Sequence, residues 1–135
     1  MSDPGVYRAP MRPRGSEVLA ADDAVRAGVV GIGDTDARRI ARLAELPEGT
    51  LVWTRGSEGA CFLGRVGPPP ARLTPAAGLT HTRPADWLDD PFTEDETPAA
   101  VLATFARGGR NLQRIRDPSV GPATAACWAA RRRAG

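Results

Sequence analysis

The sequence contains no lysine; all 18 of its basic residues are arginine. That absence removes several chemistries at once. No lysine is present for a phosphate-binding P-loop, a Schiff base or the carboxylate–lysine site of many nucleases. Histidine occurs once, as His81. General acid–base work by a single imidazole needs a positioned partner, and no serine or cysteine nucleophile motif accompanies it. Cysteine occurs twice, as Cys61 and Cys127, in neither a CxxC pair nor a Cys/His cluster. A structural zinc site, which needs about four ligands, is therefore not offered. The two thiols read as small buried hydrophobes, and a disulfide stays open only if they meet. No run of about 18 apolar residues exists to span a membrane. Met1 to Gly5 lacks the basic-then-apolar pattern of a signal peptide. The expectation is a cytoplasmic protein that is not an enzyme, uses no cofactor or metal and does not enter a membrane.

What is present is ordinary in bulk. A chain of 135 residues reads as one domain, 1–135, long enough to bury a core without staples. Fifteen glycines and 13 prolines imply abundant turns. The formal net charge is +2, close to balanced. Arginine-only basicity has a bland cause in GC-rich codon usage. Its consequence is physical all the same, because the guanidinium is a planar five-donor fork suited to phosphate and base edges.

Val6 to Ala9, closed by Pro10 and Pro13, reads as a first strand. Ser16 can cap a helix over 17–26, with Gly28 as its stop. Gly28-Val-Val-Gly-Ile-Gly33 reads as a strand whose glycines mark a close approach to the backbone. Asp34 is placed to cap a second helix over 35–46, with Ala37, Ile40, Ala41, Leu43 and Ala44 on one face and Arg38, Arg39 and Arg42 on the other. Leu51 to Arg55 and Cys61 to Val66 form a hairpin around Gly56-Ser-Glu-Gly59. Pro68 to Pro70 and Pro75 make a stiff connector. A strand over 79–83 stops at Pro84, and the acidic segment 86–96 reads as a surface loop. Its Asp89, Asp90 and Glu94 do not match the spacing of a calcium loop. Thr97 caps a helix with Pro98 at its first position and Gly108-Gly109 as its end. Asn111 to Ile115 reads as a last strand, and 122–133 as a terminal helix carrying Trp128. No repeat of 20–50 residues recurs. The count of five to six short strands with interspersed helices gives an α+β fold with a curled, mostly antiparallel sheet.

Taken in order, several of these segments resemble the PUA-like superfamily, and within it the EVE-like branch, related to YTH domains and to specificity modules of modification-dependent restriction systems. The residues that carry the resemblance are Val6-Tyr-Arg-Ala-Pro10, Gly28 to Gly33, Gly49-Thr-Leu-Val-Trp-Thr-Arg55 and Phe62-Leu-Gly-Arg-Val66, then Arg83-Pro84 with Trp87, and Arg110-Asn-Leu-Gln-Arg-Ile115. The resemblance implies a small β-barrel of five to six strands with flanking helices. It also implies a cleft between barrel and helices that accepts a single flipped base, often methylated, between aromatic walls. Where relatives often carry an aromatic after Gly-Ile-Gly, this chain has Asp34. Where they often read Tyr-Tyr-Leu-Gly-Arg, it has Cys61-Phe-Leu-Gly-Arg65.

The candidate base pocket comprises Trp53, Asp34, Tyr7, Arg8, Trp87 and Asn111. Each residue keeps a plainer alternative. Trp53 and Trp87 serve either as stacking walls, worth about 1–3 kcal/mol per base, or as barrel core. Asp34 accepts from a base edge or caps a helix. Tyr7 and Arg8 border the cleft or sit as a surface pair, and Asn111 and Gln113 could read base edges. Arg55, Arg65, Arg83, Arg110 and Arg114 are candidate phosphate contacts or ordinary solvated charges. The expected partner is nucleic acid, DNA ahead of RNA, with or without a modified base, and an effector protein encoded elsewhere. The alternatives are a protein-interaction adapter and a pocket for a free nucleobase or small aromatic ligand.

Overall fold

A computed structural model describes residues 5–13, 20–109 and 112–134. The chain forms β1 (Val6–Arg8), α1 (Ala21–Ala27), β2 (Val29–Ile32), α2 (Ala37–Glu45), β3 (Leu51–Arg55), β4 (Cys61–Val66), β5 (Thr74–Ala76), β6 (Leu79–Trp87), a 3-10 turn (Glu94–Glu96), α3 (Ala99–Ala106), β7 (Gln113–Arg114) and α4 (Val120–Ala134). This is a mixed α+β structure whose sheet curls into a half-barrel. The strand order is β2-β6-β4-β3-β1-β7, with β5 paired to β6 off that path. Among the described residues every strand pairing is antiparallel except one: β1 lies parallel to β3, with Arg8 opposite Trp53. Among the described residues no helix is long and apolar enough to cross a membrane.

The sheet is covered on both faces. On one, Val52, Val66, Val30, Ile32 and Trp87 pack with α1 and α2 through Ala21, Ala24, Leu43 and Leu46. On the other, Val6, Trp53, Cys61 and Leu63 pack with Val101 of α3 and Val120 of α4, joined by Leu88, Phe92 and Ile115. Alternation along β3 and β4 divides their side chains between the two clusters. Leu51-Val52-Trp53 is apolar at successive positions because both of its faces are buried.

Several boundaries differ from expectation for local reasons. The cap of α2 is Asp36, whose carboxylate accepts from the Arg38 and Arg39 amides. Asp34 sits two residues earlier. It accepts from the Asp36 amide at 2.8 Å and ion-pairs with Arg39, which holds its carboxyl below the usual carboxylate range. Replacing Asp36 by alanine is expected to cost about 1 kcal/mol, the usual value of an N-cap. Urea unfolding would read the loss, and faster amide exchange at Arg38 and Arg39 would locate it.

Strand β6 does not stop at Pro84 but continues to Trp87. Proline is tolerated there because β6 changes partners at that point, from β2 before it to β4 after it. The Pro84 carbonyl accepts from Gly67 N at 2.9 Å, and the next amide, Ala85, donates to Gly28 O at 2.9 Å. The proline-rich connector contributes β5, closed by the two-residue turn Ala77-Gly78 with φ of 53° and 80°, the left-handed pair that suits a tight hairpin. In the acidic segment Phe92 is buried and exchanges both backbone hydrogen bonds with Cys61. The Thr97 hydroxyl donates to Thr93 O rather than capping α3. The glycine of β2 is approached closely, but by β6 itself: a side chain at Gly31 would collide with His81 O and Thr82. The expected cap Ser16, and Arg110 and Asn111, lie outside the described residues.

Candidate functional site

The parallel pairing of β1 and β3 brings the carboxyl ends of both strands to the same edge of the sheet. Arg8 ends β1 and Arg55 ends β3. The carboxyl end of α3 lies across that edge. Together Arg8, Pro10, Arg12, Arg55, Phe105, Gly108 and Gly109 line a cleft of about 200 Å³. Three of the seven lining residues are arginine and none is acidic.

Arg8 is the anchor of this cleft. It is 6% exposed, and its Nη1 donates to Thr104 O at 2.7 Å, Gly108 O at 2.7 Å and Thr104 Oγ1 at 3.4 Å. It therefore satisfies carbonyls that the end of α3 would otherwise leave open, and its charge suits the negative end of the helix. Its Nε is buried with no hydrogen-bond partner among the described residues. Burial, and then the nearby Arg107, lower its pKa from the ordinary arginine value. Gly109 adopts φ +111°, and a Cβ there would collide with Arg8 Nη2. Only glycine leaves the guanidinium room at that position. Arg55 is half-buried, with its Nε donating to Gly59 O at 3.1 Å. Among the described residues no carboxylate pairs with Arg8 or Arg55.

The other expected site residues do not gather here. Trp53 is 0% exposed; its indole Nε1 donates to Thr124 Oγ1 at 3.0 Å and its ring meets Phe92 edge-on at 5.2 Å. Trp87 is also buried, donating from Nε1 to Val29 O at 2.9 Å and resting its ring on Gly64, where any Cβ would strike it. Both expected stacking walls are core. Asp34 belongs to the entry turn of α2, its carboxylate occupied as described. Tyr7 faces the opposite side of β1 from Arg8 and borders a separate groove with Arg38, Arg42 and Glu45.

Among the expected phosphate contacts, Arg83 is 1% exposed. Its Nη1 donates to Leu43 O, Ala44 O and Leu46 O, and its Nη2 to Gly67 O at 2.7 Å. It closes the end of α2 and is not available to a phosphate. Arg65 is exposed, its guanidinium 5.1 Å from the Trp128 ring centroid. Arg114 is exposed and lies against Gly5. Of the expected set, the structure unites Arg8 and Arg55 alone; Arg110 and Asn111 fall outside the described residues.

Reading the sequence did not pick out Arg12, Phe105 or the packing role of Gly109. The available signal was slight: Arg12 sits in the Pro10–Pro13 segment just beyond β1, and Gly108-Gly109 reads as a plain helix stop. His81 Nδ1 lies 2.9 Å from Thr80 Oγ1, a hydroxyl that also bonds the Ile32 and Asp34 carbonyls at 3.1 and 2.8 Å. Among the described residues no group of three His, Cys, Asp or Glu could hold a metal ion. Compared with family models, curated proteins and solved structures, the chain matches none of them.

Proposed function

We propose that the chain is a nucleic-acid-binding reader of the PUA-like, EVE-like kind, engaging the sugar–phosphate backbone at the arginine cleft beside β1, β3 and α3. The observation that carries this reading is the convergence of Arg8, Arg12 and Arg55 in one cleft that, among the described residues, no acidic side chain lines. Guanidinium groups bind phosphate oxygens through parallel N–H donors, and phosphate contacts supply most sequence-independent affinity for nucleic acid. The curled half-barrel sheet is in keeping with the small barrel that the resemblance implies. The aromatic cage is not retained, because Trp53 and Trp87 are core residues.

Fluorescence anisotropy with labelled single-stranded and duplex DNA and RNA tests the reading. Affinity is expected to fall with salt at roughly 0.7–0.9 logarithmic units per phosphate neutralised, hence a slope of about 1.4–1.8 for Arg8 and Arg55. Arg55→Glu is expected to weaken binding about tenfold or more and to reduce the slope by about 1. Absence of binding to every strand at low salt would remove the proposal. Equal affinity of the wild type and the Arg55→Glu variant would move the interface elsewhere.

A further inference from the structure

We infer that the cleft is a seat for a single phosphate group, recognised as an oxyanion apart from any base, with Arg8 as its fixed floor and Arg55 as its second wall. This rests on the proposed nucleic-acid reading only for the source of the phosphate, not for the seat. The argument begins with a comparison inside the molecule. Arg8 and Arg83 are both buried arginines that close helix ends through Nη1. Arg83 spends Nη2 as well, on Gly67 O, and so is consumed by the fold. Arg8 reaches described acceptors through Nη1 alone, lines a cavity and has no carboxylate partner among the described residues. A buried cation is costly unless it is paired and hydrogen-bonded. Carbonyls at the end of α3 meet half of that need by fixing the guanidinium. An oxyanion in the cleft would meet the rest, supplying the negative charge that no described residue brings to Arg8.

The fixed geometry matters for what is recognised. Arg8 is held on one side by α3 and on the other by the glycine that leaves it room, so little side-chain freedom is lost when a ligand arrives. Arg55 comes from a different strand and approaches the same volume, which suits a tetrahedral group gripped from two sides. Phe105 contributes one apolar wall, too little to sandwich a base but enough to exclude water from one side of a phosphate. The chemistry named is a phosphate group; its source is either a nucleic-acid strand or a free mononucleotide.

Thermal-shift and calorimetric titrations of the intact chain would test this with inorganic phosphate, a nucleoside monophosphate and the matching nucleoside, at constant ionic strength set with chloride. Saturable stabilisation is expected from inorganic phosphate and from the monophosphate, with none from the nucleoside. In Arg55→Glu the response is expected to weaken at least tenfold while the unfolding midpoint without ligand stays near that of the wild type. Arg55→Lys, which keeps the charge and loses the fork, should retain part of it. A nucleoside that stabilises as well as its monophosphate would overturn the seat in favour of a base pocket. Oligonucleotide binding with no saturable response to phosphate or monophosphate would overturn the seat and leave the reader standing. Saturable phosphate binding with no affinity for any strand would uphold the seat and remove the reader, assigning the cleft to a free phosphorylated ligand.

Discussion

Arg83→Ala is expected to destabilise the fold by about 3–5 kcal/mol, the usual cost of breaking a buried charged network by deleting one partner. The side chain is 1% exposed and donates to four carbonyls from two separate segments, the end of α2 and the bridge after β4. Deleting it leaves Leu43 O, Ala44 O, Leu46 O and Gly67 O without their shared donor, and each buried orphan carries its own desolvation penalty. It also empties the volume of one of the largest fully buried side chains, which adds a cavity cost. Lysine restores charge but offers a compact ammonium in place of a fork reaching two segments, so Arg83→Lys should recover only part of the loss. Urea and thermal unfolding would read the difference, with the midpoint temperature of Arg83→Ala lower by roughly 10–15 °C for a domain of this size. Arg72→Ala, an exposed arginine, serves as the control and should shift stability by less than about 0.5 kcal/mol. If Arg83→Ala instead unfolded like the wild type while losing affinity for nucleic acid, the residue would be a ligand contact and its placement under α2 would be wrong.

The contrast between Arg83 and Arg55 shows where sequence information ran out. Both are strand arginines, each followed by a residue that commonly breaks a strand, Pro84 or Gly56, and nothing local separates them. What separates them is what lies across the sheet: the end of α2 over Arg83, and an open cleft beside Arg55. The β3–β4 hairpin was legible to the residue because both strands are dense in β-forming residues and the loop between them is rich in glycine. The continuation of β6 beyond Pro84 was not, because a proline is read as a stop unless the change of strand partner is known. The cleft was hidden for a related reason. It exists because β1 pairs parallel with β3, Val6 opposite Leu51, a contact distant in sequence that hydrophobic period does not encode. Arg8 was picked out without its partner Arg12 or the glycine that makes room for it. Trp53 was legible in principle. Leu51-Val52-Trp53 does not alternate, and an apolar run in a short strand signals burial on both faces. Of the two alternatives that the sequence leaves open for Trp53, stacking wall and barrel core, the structure takes the second.

Trp53→Ala tests the simpler reading most severely, with an expected loss of about 3–5 kcal/mol, as for other large-to-small changes at buried aromatic sites. The ring is fully buried at the centre of the cluster that joins β3 and β4 to α3 and α4. Its edge-on contact with Phe92 adds an aromatic pair term of about 0.5–1.5 kcal/mol. Its loss strands the Thr124 hydroxyl inside α4, whose own exposure is 0%. Because the alanine variant could lose the fold altogether, the deciding comparison is Trp53→Phe. Phenylalanine keeps most of the apolar volume and removes the indole donor, so the cost should fall to about 1–3 kcal/mol, the range for leaving one buried partner unsatisfied. A core residue predicts that Trp53→Phe lowers the unfolding midpoint while nucleic-acid affinity, measured where the variant is fully folded, stays within about twofold of the wild type. A stacking wall predicts the reverse, since phenylalanine offers a smaller face and each stacked base is worth about 1–3 kcal/mol. The two readings therefore part on a single conservative variant. The full burial of the ring and its bond to α4 favour the first.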